Sequence, residues 1–154
     1  MQTAALYKTG DIASGTPAER ILMVVKNIES SSITTGLAVS LISSGTIDGI
    51  NSAKAVAGNW KGFCGIAQAD IPSNQYGLVT YQGYAASIQI SLVGTSITVT
   101  AGDVLIPGAV AGTLFSSGTP QGMSTLLYRY AFVATTQTVS ANPVWTDGVV
   151  KALL

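Results

Sequence analysis

The stretch that sets the fold class is Gly62-Phe-Cys-Gly-Ile-Ala-Gln-Ala-Asp-Ile-Pro-Ser-Asn-Gln-Tyr-Gly-Leu-Val-Thr-Tyr-Gln-Gly83. Two apolar runs flank the polar segment Asp70–Gln75, in which Pro72 removes a backbone donor and the Asp, Ser and Asn residues favour a turn. The segment therefore predicts a strand, a turn and a second strand. The residues that we expect in its core are Phe63, Cys64, Ile66, Leu78 and Val79.

Short apolar or alternating runs continue along the rest of the chain. Ser87–Val93 alternates with a period of two, which places Ile88, Ile90 and Leu92 on one face of a strand. Further strands are predicted at residues 21–25, 37–42, 60–67, 76–81, 97–100, 104–106, 126–133 and 149–154, whereas residues 135–138 read as a loop and residues 53–57 fit either a helical turn or an irregular strand. About eight to ten strands at roughly 8–12-residue spacing indicate an all-β fold, a small β-barrel or β-sandwich.

The chain divides into two parts by pattern. Residues 1–20 have no clean period and contain Gly10, Gly15 and Pro17, so they are predicted to form an N-terminal arm or irregular lead-in. Residues 21–154 carry all the predicted strands. With 154 residues in total, the length fits one domain, and we expect residues 21–154 to be a single all-β domain.

The composition is poor in charge and rich in apolar residues. Charged residues make up 9% of the chain, against about 25% in typical soluble domains, and seven basic residues balance seven acidic ones. No run of Lys or Arg could follow a phosphate backbone, which argues against nucleic-acid binding. A neutral surface tolerates self-association, although a neutral monomer fits the composition equally well. We expect no signal peptide and no membrane span, because no long apolar segment is present.

The residue types needed for common catalytic and metal sites are scarce. The chain has no His and one Cys, which removes Ser-His and Cys-His pairs and an ordinary zinc site. We expect Cys64 to act as a small buried hydrophobe. The acidic residues sit in or beside turn signals, where backbone hydrogen bonding is their expected role: Asp11, Glu19, Glu29, Asp48, Asp70, Asp103 and Asp147. The sequence thus predicts no enzyme, no catalytic residue, no metal site and no cofactor.

Aromatic residues offer a second kind of site. Several cluster along the chain and could form a sugar-binding platform if their faces were exposed, while core and subunit-interface roles are favoured because buried aromatics dominate both. These residues are Trp60, Phe63, Tyr76, Tyr81, Tyr84, Tyr128 and Tyr130.

Short motifs in the same order resemble a known family. Gly65-Ile-Ala-Gln-Ala-Asp-Ile71, then Tyr76-Gly-Leu-Val79 and Gly83, resemble the capsid cement (decoration) proteins of tailed bacteriophages. The turn Gly102-Asp-Val-Leu105, the early Val25-Lys-Asn27 and the terminal Val149-Val-Lys-Ala-Leu-Leu154 add to the resemblance.

The resemblance implies a virion structural protein that is made in the host cytoplasm. It would sit on the outer capsid surface and cement neighbouring capsomers. Its implied partners are the major capsid protein and further copies of itself, as a homotrimer, with no nucleic acid and no membrane involved. The alternative is a phage tail, neck or head-fibre component with a carbohydrate-binding or host-attachment role.

Overall fold

The protein is almost entirely β-structure. The computed structural model describes residues 20–42, 50–56, 62–91, 97–99, 104–107, 110–116, 130–133, 137–139 and 144–151. Within these ranges every regular element is a strand, and there are eleven of them, where the sequence predicted eight to ten. They are β1 (Ile21–Asn27), β2 (Ala38–Leu41), β3 (Asn51–Lys54), β4 (Phe63–Ala67), β5 (Tyr76–Ile90), β6 (Ile97–Val99), β7 (Val104–Pro107), β8 (Leu114–Ser116), β9 (Tyr130–Val133), β10 (Gln137–Val139) and β11 (Val144–Lys151).

Five strands close into a barrel. The order is β1-β3-β2-β4-β5, and β1 pairs with β5 to complete the circle. All these pairings are antiparallel except that of β1 with β3, which is parallel. Closure leaves the barrel without unpaired sheet edges, which is how such folds avoid edge-to-edge aggregation. Of the two architectures expected from the sequence, the described strands therefore form the barrel.

The remaining strands build on the far half of β5. There β5 pairs with β11, and the order continues through β9, β7 and β8. One parallel pair, Ile90 with Leu114, brings β8 back to β5. Strands β6 and β10 form a separate two-stranded sheet. The structure thus corrects the loop predicted at residues 135–138, since three residues from Gln137 pair with β6.

Strand β5 connects the two halves of the protein. Its 15 residues replace the two separate strands predicted at 76–81 and 87–93. The pairing register shifts twice along it, once opposite Ile21/Leu22 and once opposite Thr146/Gly148. Gly83, with φ of 105°, lies between these shifts, and such bulges bend and twist a strand. Gly83 therefore lets one long strand change direction where the sequence predicted two strands.

One residue of β5 lies between the first and the last strand. Gln82 is the register partner of both Ile21 in β1 and Lys151 in β11. Two partners of one residue must lie on its two sides, so the start of β1 and the end of β11 are about 10 Å apart at an inter-strand spacing of about 4.8 Å.

Two hydrophobic clusters make up the core. One fills the barrel and its end, with Val25, Val39, Cys64, Val79 and Ile71 among its buried members. The other joins the outside of β2 and β4 to the second half, and includes Ala38, Phe63, Ile66, Ile88 and Leu114. Burial on both faces explains why β4 is buried at all five positions. This second cluster packs the two halves against one another.

Four of the five core residues predicted in the hairpin are buried, and one is not. Phe63, Cys64, Ile66 and Val79 expose 1% or less of their surface. Leu78 is 45% exposed, which corrects its prediction as core. Alternation in a strand puts successive side chains on opposite faces, so Leu78 must point outward when Val79 points into the barrel.

Candidate functional site

Two loops meet at one end of the barrel and hold each other in place. The first, residues 28–37, follows β1, and the second, residues 68–75, is the turn of the predicted hairpin. An isolated bridge joins Ile33 to Ile71 through two backbone hydrogen bonds of 2.8 and 3.0 Å. Both isoleucines are at most 1% exposed. The loops therefore close the barrel end with a pair of apolar side chains.

Asn27 ties both loops to the end of β1. It is fully buried. Its Nδ2 donates to the carbonyls of Ser31 at 2.8 Å and Ile71 at 2.9 Å, and its Oδ1 accepts from the Glu29 N–H at 2.9 Å. These bonds satisfy the side-chain donors and an acceptor that burial would otherwise make costly. Asn27 is thus a structural centre of this barrel end, which the sequence did not single out beyond its place in the family resemblance.

Asp70 has the turn-stabilising role predicted for it. Its Oδ1 accepts the Thr35 N–H at 2.8 Å and the Thr35 hydroxyl at 3.0 Å, linking the two loops. The backbone hydrogen bond from Thr35, followed by the hydroxyl bond, lowers the pKa of this exposed carboxyl group below its ordinary value. The carboxylate is thereby kept ionised and engaged, which is the opposite of what a general acid near neutral pH requires.

Glu29 is also occupied by neighbours. Its Oε2 lies 3.2 Å from the Lys54 Nζ, and its Oε1 accepts the Lys54 backbone N–H at 3.1 Å. The same ammonium group donates to the Ser31 hydroxyl at 2.8 Å. These contacts connect loop 28–37 to β3 and leave Glu29 as a second structural acid.

The structure does not describe the side chains of the other acids that were predicted at turns. Asp11, Glu19, Asp48 and Asp103 lie outside the described residues. Asp147 lies within strand β11, which corrects its predicted place at a turn. Across the described ranges, no group of three His, Cys, Asp or Glu residues could hold a metal ion. Those same ranges contain no helix long and apolar enough to cross a membrane.

The aromatic residues divide between core and surface. Phe63 is buried, and the half-buried Tyr81 packs against the second core cluster. Tyr84 is half-buried. Tyr76 is the exception, because 63% of it is exposed. Trp60 and Tyr128 lie outside the described residues, and Tyr130 is placed only as part of β9.

Tyr76 belongs to an apolar strip on the outside of the barrel, which we call the β1–β5 outer face. It consists of Val24, Lys26, Tyr76 and Leu78. Val24 pairs directly with Leu78, and Lys26 pairs with Tyr76 two residues further along. The Lys26 Nζ lies 5.9 Å from the centre of the Tyr76 ring, within the range of a cation–π contact. The sequence did not reveal this face, since both faces of β1 and β5 carry apolar residues.

The exposed apolar side chains of this face lie on two paired strands of the barrel. Comparison with protein-family models and with curated proteins finds no match to this chain. The function therefore has to be argued from the residues. Both acids whose side chains are described serve loop structure, while the β1–β5 outer face presents three apolar side chains to solvent.

Proposed function

We propose that this chain is a structural protein of a tailed-phage virion that binds the outer surface of the capsid and cements neighbouring capsomers. The observation that carries the proposal is the structural role of the residues that resemble the cement family. Within that motif, a Cβ on Gly65 would collide with the backbone carbonyl of Thr80, Asp70 links two loops, and a Cβ on Gly77 would overlap the Ile71 side chain. The residues that carry the resemblance thus have structural roles in this barrel, which supports the proposal.

The mechanism is association without chemistry. A protein that binds only the assembled shell stabilises the shell by mass action, by about 2.7 kcal/mol per site when its free concentration is 100-fold above its Kd. A charge-poor chain loses little electrostatic solvation on docking, since ion desolvation is the costly part of burial. Self-association as a homotrimer is part of the proposal, in line with the closed symmetry of most homo-oligomers.

The direct test uses shells assembled from the major capsid protein encoded in the same genome. Purified chain is added to empty shells, and binding is measured by co-sedimentation and shell disruption by scanning calorimetry. We expect saturable binding and a higher disruption temperature. A matched sample with unassembled capsid protein should show no comparable binding. Shells that neither bind the chain nor change in stability would refute the cement function.

The exposed ring of Tyr76 supports one alternative function, carbohydrate binding. An exposed aromatic beside amide side chains such as Asn74 and Gln75 is also the composition of a sugar-binding surface, as a host-attachment component would require. Glycan-array binding that is present in the wild type and lost in Tyr76→Ala would favour that alternative over the capsid.

A further inference from the structure

We infer that the β1–β5 outer face is the surface by which this chain docks on the assembled shell. The inference rests on the proposed function and specifies it. It assigns the contact to one side of the barrel, made of Val24, Lys26, Tyr76 and Leu78, and it assigns to the partner an apolar patch with an oxygen acceptor beside it.

The exposed side chains are fixed in position by the residues beneath them. Val24 is 51% exposed and Leu78 45%, while their neighbours Val25 and Val79 are fully buried in the barrel. The inward residues anchor both strands, so the outward ones are presented in a defined register without a loop to order. Such preorganisation reduces the entropy cost of binding.

The outer face has a clear boundary on the side of the second half. The next pair on the same face is Leu22 with Thr80, and Thr80 is fully buried. The second half of the protein therefore covers this side of the sheet as far as Thr80. From Leu78 to Tyr76 the side chains are exposed to solvent. Outer faces of antiparallel sheets normally carry polar side chains where they meet water, so an apolar outer face suggests a surface that is covered in use.

The size of the face indicates the kind of partner. At about 150–250 Å² for a whole aromatic side chain, the 63% exposure of Tyr76, together with Val24 and Leu78, gives on the order of 300 Å². A stable pairwise complex buries about 800 Å² per partner. This face alone is too small for a stable pairwise complex, but copies linked in the proposed homotrimer would present it to the shell several times, and linked weak contacts add strongly.

The charge of the face fits the same partner. Lys26 is the one charged member of the face, so an oxygen acceptor on the shell would complement it.

The test compares one double variant with one matched control. Val24→Ser with Leu78→Ser removes the apolar pair of the face. Val110→Ser removes a side chain that is 59% exposed on the turn before β8. Folding of each variant is checked by circular dichroism and urea denaturation. If the double variant does not fold, Val24→Thr, which keeps the β-branched shape, takes its place.

The probe is the empty shell of the major capsid protein described above. We expect the double variant to bind at least tenfold more weakly than the wild type, and Val110→Ser to bind within about twofold of it, as surface changes away from a contact usually do. Equal binding by the double variant and the wild type would overturn the inference and leave the cement function standing. A double variant that loses self-association would assign the face to contacts between copies and overturn the inference too. Absence of binding by the wild type itself would refute the proposed function and the inference with it.

Discussion

The close approach of Gly77 to Ile71 predicts that the effect of Gly77→Ala on stability depends on which residue stands at position 71. A Cβ added at Gly77 would overlap the Ile71 side chain, lying 2.7 Å from its Cδ1 and 2.9 Å from its Cγ2 and closest to its Cγ1. The Gly77 backbone is ordinary for a strand and needs no left-handed conformation. Replacement by Ala is therefore resisted by one side chain and not by the backbone.

The magnitudes follow from that geometry. Overpacking a core costs about 1–3 kcal/mol, while exchange of Gly for Ala in a strand gains about 0.5–1 kcal/mol of chain entropy. Gly77→Ala should thus destabilise the wild type by about 1 kcal/mol, within a range of about 0–2.5 kcal/mol. Ile71→Ala alone should cost about 2–5 kcal/mol, as other buried aliphatic truncations do. In the Ile71→Ala background all three clashing atoms are gone, so Gly77→Ala should be neutral or stabilising.

Urea denaturation followed by far-ultraviolet circular dichroism measures this coupling. With a slope of about 2 kcal/mol per M, a change of 2 kcal/mol moves the midpoint by about 1 M. Ile71→Val removes only the Cδ1 atom and should give a partial rescue. If Gly77→Ala lowers the free energy of unfolding equally in the wild type, in Ile71→Ala and in Ile71→Val, the packing explanation is refuted.

Four further outcomes are expected. Asn27→Ala should destabilise by about 3 kcal/mol, because it removes three hydrogen bonds worth about 1 kcal/mol each, to the Ser31 and Ile71 carbonyls and from the Glu29 N–H. Loop 28–37 should then lose hydrogen-exchange protection, and unchanged protection would contradict the role given to Asn27. Gly65→Ala should prevent soluble folding, since φ is 142° and the added Cβ meets the backbone of Thr80, and a soluble variant with wild-type circular dichroism would show otherwise. Asp70→Asn should lower the urea midpoint at neutral pH. Because the folded pKa of Asp70 lies below its ordinary value, the stability that the ionised carboxylate adds is complete above the ordinary pKa and is lost as the pH falls through the folded pKa. The difference from the wild type should therefore shrink in acid and not on the alkaline side. Cys64, with no exposed surface, should react with a thiol reagent only as fast as the protein opens, and rapid labelling under native conditions would argue against its place in the core.

The local sequence pattern predicted burial and turns correctly where these depend on residues nearby in the chain. The alternation at Ile88 and Ile90 correctly predicted that both are buried on one face. Turn chemistry in Asp70–Gln75 correctly predicted the loop between β4 and β5. The same reasoning failed at Leu78, because Tyr76, Leu78 and Val79 are all apolar and the sequence does not say which face of the strand closes on the barrel.

The sequence could not decide between a barrel and a sandwich, because closure of the barrel depends on pairing between strands that are distant in the chain. Strand β1 closes the barrel by pairing with residues of β5 such as Leu78 and Thr80, more than fifty positions away in the chain. Three-residue strands such as β10 owe their structure to the partner strand rather than to local propensity. The β1–β5 outer face was hidden for the same reason, since it exists only once those two strands lie side by side.

The place of Gln82 between Ile21 and Lys151 has a practical consequence for engineering. Since the first and last strands end beside the same residue, a short linker of about four residues can span the roughly 10 Å between them, and a circularly permuted chain can open elsewhere. Cargo attached before Ile21 and cargo attached after Lys151 would leave the barrel from one spot. On a particle that carries many copies, the two cargoes would be displayed at the same positions and would compete for the same space.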